Sequence, residues 1–226
     1  MEKKKKKTAV AILALGASMM AFAEANLEAG KEKAETLCMA CHGAGGVSLN
    51  PIWPSLAGQS AKYTLKQLQD FKSGARSNAV MGAQAAMLSD QEMEDVSAYY
   101  ASLALPPAAT QGRGDTPEEM LAEGQALYRG GDLARGIPAC SACHGPTGAG
   151  IPPAAFPALS GQQAEYNRMQ LQHFQHAANV DQQASDSALA ADEMRANDPN
   201  EMMRDVARKL TPRQIEAVSL YIQGLN

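Results

Sequence analysis

Cys38-Met39-Ala40-Cys41-His42 recurs as Cys140-Ser141-Ala142-Cys143-His144, and these hold all four cysteines and two of the four histidines. Two thiols and an imidazole at this spacing can bind a metal, cycle as a dithiol, form a disulfide or anchor a porphyrin. Structural zinc pairs usually lie about 15–20 residues apart, whereas these pairs lie 102 apart. One Cys pair with one His also leaves tetrahedral zinc a ligand short. A thioredoxin-like dithiol needs a βαβ pattern, which the sequence lacks. The remaining reading is c-type heme attachment: Cys38 with Cys41, and Cys140 with Cys143, add to the two vinyl groups of one heme each. His42 and His144 then reach the two irons from one face.

A sixth ligand is needed for each iron. Only His173 and His176 remain as histidines, and both lie in the second half; they read as polar residues of a surface helix. Met81 precedes Ser89 by eight residues and Met203 precedes Thr211 by eight, so the two methionines correspond at an offset of 122. A thioether opposite His favours ferrous iron and raises the potential. Met81 and Met203 are therefore the expected partners of His42 and His144, with Met202 the adjacent competitor. Met87, Met93, Met194 and Met202 read as core filler.

The elements that must hold these groups are duplicated. Pro54-Ser55-Leu56-Ala57-Gly58-Gln59 recurs as Pro157-Ala158-Leu159-Ser160-Gly161-Gln162, and Tyr63, Gln67 and Phe71 match Tyr166, Gln170 and Phe174 at an offset of 103. Leu27 to Leu37 and Pro117 to Tyr128 predict short helices leading to each Cys pair. Apolar spacing predicts helices over 63–71 and 166–174. Ser89 with Glu92 is a capping box, and Thr211-Pro212 with Gln214 makes the same start. The expected fold class is all-α: two tandem domains, 24–105 and 117–226, joined by a linker at 106–116, each wrapped around one covalent heme. A ligand His donates its other ring N–H to a fixed acceptor, and the rigid Pro54 and Pro157 loops offer carbonyls for it.

Lys3 to Lys7, the apolar run Thr8 to Met20 and Ala21-Phe22-Ala23 predict a signal peptide over 1–23, cleaved after Ala23, and hence export to the periplasm. Removing Glu2 and the five lysines from 24 acidic and 20 basic residues leaves 23 and 15. That acidic balance argues against nucleic acid as a partner. Aromatics are only 5% of the chain, as expected if a large flat group fills each core.

Together, Cys-x-x-Cys-His, Pro-x-Leu-x-Gly and a Met shortly before a C-terminal helix resemble class I cytochrome c. Gly58-Gln59 followed by Tyr63-Thr64-Leu65-Lys66-Gln67-Leu68, and Tyr128-Arg129-Gly130-Gly131 leading to Gly136-Ile137-Pro138-Ala139-Cys140, are similar to the diheme cytochromes c4. The resemblance spans about Ala25 to Asn226. It implies two covalently attached heme c groups facing a shared interface, and electron transfer from quinol-cytochrome c reductase to a terminal oxidase or reductase. It implies no catalysis, and a monomer at most peripherally associated with the inner membrane. Gly30 and Gly124 match the small residue where the N- and C-terminal helices cross. Two other classes compete: a diheme subunit of a periplasmic dehydrogenase and, remotely, a diheme peroxidase. One stretch departs from the pattern. His176 to Glu201 lengthens the Phe-to-Met spacing from 10 residues to 29. This insertion, about 177–200, reads as a solvated loop or extra helix, with partner docking as the functional alternative.

Overall fold

The computed structural model describes residues 24–106, 118–180 and 194–225. The expected signal peptide with its cleavage position, nearly all of the expected linker and residues 181–193 of the insertion lie outside the described residues. In the first half, α1 (Leu27–Lys33) runs through a π-helical turn, Ala34–Cys38, into α2 (Met39–His42). Then come α3 (Ala61–Ser73), α4 (Ala79–Ala86) and α5 (Asp90–Ser102). The second half repeats the order with α6 (Glu118–Gly130), α7 (Ser141–His144), α8 (Ala164–Val180), α9 (Met202–Ala207) and α10 (Pro212–Gln223). Strands are absent among the described residues; two isolated bridges, Asp132 with Ile137 and Ile151 with Phe156, close loops. No helix among them is long and apolar enough to cross a membrane.

Each half is built on one close helix crossing. A Cβ on Gly30 would sit 2.2 Å from the Asp95 carbonyl oxygen of α5, and one on Gly124 would sit 2.1 Å from that of Ala217 in α10. Asp95 and Ala217 are 122 residues apart, so the two crossings are the same contact. Side chains are excluded there because two helix backbones touch.

The cores above the crossings differ in a compensating way. Tyr100 of α5 clusters with Ala34 and Val96 in the first half. In the second, Tyr128 of α6 clusters with Ile215, Val218, Tyr221 and Ile222. Ala34 corresponds to Tyr128, and Tyr100 to Ile222. The aromatic has changed helices, and the residue across the crossing has changed size with it, as a close-packed interior requires.

The route from first helix to cysteine also differs. In the first half the helix continues, and the π turn absorbs one extra residue just before Cys38. In the second, α6 stops at Gly130, and a loop closed by Asp132 N–H to Ile137 O and Ile137 N–H to Asp132 O, both 2.9 Å, precedes Cys140.

Both capping boxes form: Ser89 with Glu92 opens α5, and Thr211 with Gln214 opens α10 behind Pro212. Glu92 also pairs with Lys33 of α1 at 2.7 Å. Lys33, then the Ser89 N–H and hydroxyl, hold the Glu92 carboxyl down at about 2 against its ordinary 4.5. A depressed carboxyl contributes stability above its unfolded value and loses it as pH falls through the folded one. Glu92→Gln is therefore expected to flatten the acid limb between pH 4.5 and about 2 in a pH-dependent unfolding series. An unchanged limb would show that the pair adds nothing to acid stability.

The described C-terminal end of the insertion is only partly solvated: Ala196, Pro199 and Asn200 are exposed, while other residues turn inward. α8 continues to Val180, and when the described chain resumes, Arg195 is buried at 7% exposure. Asp198 pairs with Arg204 at 2.8 Å instead of facing water.

Candidate functional site

Each Cys-x-x-Cys-His motif ends in a single helical turn, stopped by a glycine with φ near 80°, Gly43 and Gly145. That left-handed exit turns the chain back beneath the histidine. Gly46 and Gly148 carry on the turn, and their carbonyls accept from the Pro-x-Leu-x-Gly segments. Leu56 N–H reaches Gly46 O at 2.7 Å, and Leu159 N–H reaches Gly148 O at 2.7 Å. The segment so held presents the proline carbonyl. His42 Nδ1 lies 2.9 Å from Pro54 O, and His144 Nδ1 lies 2.9 Å from Pro157 O.

A carbonyl only accepts, so Nδ1 carries the proton in both rings and Nε2 keeps its lone pair for a metal. Burial lowers the pKa of both histidines, with the proline carbonyls opposing only in part. Both rings are thus held neutral, as a ligand must be.

The four cysteines form no disulfide with one another. Burial pushes the Cys38 thiol up, and burial pushes Cys140 up to about 11. Cys38 and Cys140 are therefore not the activated, low-pKa thiolates of a dithiol oxidoreductase. No group of three or more His, Cys, Asp or Glu poised to hold a bare metal ion occurs among the described residues. Two cysteine sulfurs and one oriented imidazole within a single turn fit a heme, which brings four iron ligands of its own and needs thioether anchors.

Met81 lies in the first turn of α4, its N–H bonded to the Asn78 side chain at 2.9 Å, and is half-buried. Met203 is half-buried in the first turn of α9, whereas Met202 is 38% exposed. Four residues on, Ala85 and Ala207 are both fully buried. The helices carrying the two methionines thus have the same buried register. His173 and His176 lie half-buried on α8, not on an exposed face.

The sequence reading missed the centre of the domain interface. Arg76 stacks on Phe71 at 4.6 Å, and Arg195 stacks on Phe174 at 4.4 Å. Arg76 donates to Gln67 of its own half and to Gln170 and Tyr166 of the other, at 2.9, 2.8 and 3.2 Å. Arg195 mirrors it, donating to Gln170, Gln67 and Tyr63 at 3.0, 3.1 and 2.8 Å. Asn197 adds a bond to Gln67 at 3.0 Å. The matched Tyr, Gln and Phe of the repeat were the available signal. Arg195 was hidden because it follows Phe174 by 21 residues, where Arg76 follows Phe71 by five.

A cytochrome c family model matches residues 27–104 and 121–226. Fold and site thus define an all-α electron-transfer cytochrome, with one covalent heme c in each of two tandem domains. Cytochrome c4 of Thiocapsa roseopersicina is 46% identical over 200 residues, covering 88% of this chain and 92% of that protein. The crystal structure of reduced recombinant cytochrome c4 from Pseudomonas stutzeri superposes with a TM-score of 0.73 at 37% identity, covering 90% of this chain and all of that one. The chain belongs to the cytochrome c4 family. A thiosulfate dehydrogenase electron acceptor from Stutzerimonas stutzeri is also similar, 37% identical over 199 residues, covering 88% of this chain and 83% of that protein.

Proposed function

We propose that the chain is a periplasmic electron carrier, not an enzyme, which accepts electrons from quinol-cytochrome c reductase and delivers them to a terminal oxidase or reductase. The observation that carries this reading is the duplicated setting of His42 and His144: each is buried and fixed through Nδ1 by a proline carbonyl. Cys38 with Cys41 and Cys140 with Cys143 would hold the hemes, and Met81 and Met203 would fill the sixth positions. When bound, each heme c supplies a one-electron ferric/ferrous couple. The chain's residues exclude water from the histidines, keep them neutral and deny an open coordination site to oxygen or peroxide. The basic leader and its A-x-A site support a mature protein outside the inner membrane; the reading takes it as a monomer, at most peripherally attached to that membrane.

Absorption spectra of the oxidised and reduced protein, with heme quantitation and carbon monoxide added to the reduced form, test the reading. Two low-spin hemes per chain, untouched by carbon monoxide, and reduction of both by quinol with the reductase are expected. A carbon monoxide shift with peroxide turnover would move the assignment to a peroxidase. A second reading, the cytochrome subunit of a periplasmic dehydrogenase, draws support from the similarity to the thiosulfate dehydrogenase electron acceptor. Co-purification with a catalytic chain, and reduction by it in preference to the quinol route, would favour that reading.

A further inference from the structure

The proline carbonyl that holds each histidine is one end of a peptide group whose other end is held by the opposite domain. Pro54 O accepts from His42 Nδ1, and the N–H of the same peptide, on Ser55, donates to Gln162 Oε1 at 2.9 Å. Gln162 Nε2 then donates to Ser55 O at 3.0 Å. The other half repeats this. Pro157 O accepts from His144 Nδ1, Ala158 N–H donates to Gln59 Oε1 at 2.9 Å, and Gln59 Nε2 donates to Ala158 O at 3.0 Å. Each glutamine oxygen is anchored at home by the next backbone N–H, Ser60 for Gln59 and Gln163 for Gln162, at 2.9 and 3.0 Å. Gln59, Gln162, Ser55 and Ala158 are all buried.

We propose that Gln59 and Gln162 are crossed positioning residues, each fixing the metal-ligating histidine of the other domain through the peptide that follows the proline. The inference rests on the reading of His42 and His144 as heme ligands. A peptide is planar, so the two-point grip on Ser55 sets the direction of the Pro54 carbonyl and with it the His42 ring plane. Hydrogen bonds at both ends of one amide also polarise each other. Gln162 at the N–H end makes Pro54 O a stronger acceptor, and a stronger Nδ1 hydrogen bond makes His42 a more basic ligand. A more basic ligand favours ferric iron. The redox balance of each centre therefore depends on its domain being docked to the other.

The test is paramagnetic NMR of the two ligand histidines, assigned domain by domain, with a redox titration of each centre in the holoprotein. Gln162→Ala is expected to shift the His42 signals and raise the ferrous-to-ferric ratio of the first centre at fixed ambient potential. The rise should be about threefold, the size of a weakened hydrogen bond, with His144 unmoved. Gln59→Ala should do the reverse. Gln162→Asn, too short to reach Ser55, should behave as Gln162→Ala if the latter folds poorly. Gln163→Ala is the docking control. Its side chain also crosses the interface, to Ser48 O at 2.7 Å, but does not touch the proline peptide, so neither histidine should move. A shift confined to the variant's own domain, equal shifts in both, no shift, or the same shift from Gln163→Ala would each overturn the proposal. Wild-type protein lacking heme-bound imidazole signals would instead overturn the ligand reading beneath it.

Discussion

Gly30→Ala is expected to lower the thermal midpoint of the first domain by roughly 15 °C in a calorimetric scan of the holoprotein. The added Cβ would lie 2.2 Å from the Asp95 carbonyl oxygen and 3.0 Å from Tyr99 Cβ. Neither neighbour can swing aside, because the first is helix backbone and the second is fixed to it. α1 is also tied down on both sides, by Asn26 N–H to the Asp95 carboxylate at 2.8 Å and by Lys33 to Glu92 at 2.7 Å. The helix must therefore lift from α5, which loosens Ala34, Val96 and Tyr100 together. Overpacking of this kind costs about 3 kcal/mol at the upper end of its usual range, and each kcal/mol moves a domain of this size by about 4–8 °C. Gly124→Ala should do the same to the second domain, where the Ala217 carbonyl lies 2.1 Å away. Gly130→Ala is the matched control, since a methyl group there would meet nothing within 4 Å. An unmoved midpoint for Gly30→Ala would show that the crossing is wider than described.

The second large effect belongs to the methionines. Met81→Ala and Met203→Ala should each abolish one of two Met-to-iron charge-transfer bands and make one reduced iron reactive towards carbon monoxide. Each should also lower the potential of its own centre by roughly 0.2 V, within the range of about 0.8 V that axial ligands command. Met202→Ala should leave both bands in place. The reason is register: Ala85 and Ala207 are both fully buried four residues beyond Met81 and Met203, and Met202 faces solvent at 38% exposure. Loss of the second band in Met202→Ala, with Met203→Ala silent, would shift the ligand by one residue and break the correspondence with Met81.

Much of this molecule is legible in its chain because its chemistry is local. Two thiols and an imidazole must fall within one helical turn to serve one heme, so Cys38 to His42 and Cys140 to His144 declare themselves by spacing alone. Proline carbonyls and the capping boxes at Ser89 and Thr211 are nearly as local, and duplication marks each of them twice; the glycines of the helix crossings, whose contacts lie 65 and 93 residues on at Asp95 and Ala217, were readable only through the resemblance to class I cytochrome c. Gln59 was visible as a repeated letter, but its role was not, because its contact lies 99 residues away at Ala158. Arg195 was not visible at all, since the insertion displaces it from the register of Arg76 and its partners Tyr63 and Gln67 lie 132 and 128 residues back. The exchange of Tyr100 for Tyr128 across the crossing had no sequence signature, because only packed volume, not spacing, links a residue on one helix to its complement on another. Residue order alone thus dictates what each domain binds and how its own turn of helix presents the ligands. How the two domains grip each other's histidines emerges only when they dock, because hydrogen bonds between separately folded surfaces obey geometry in space and leave no period along the chain.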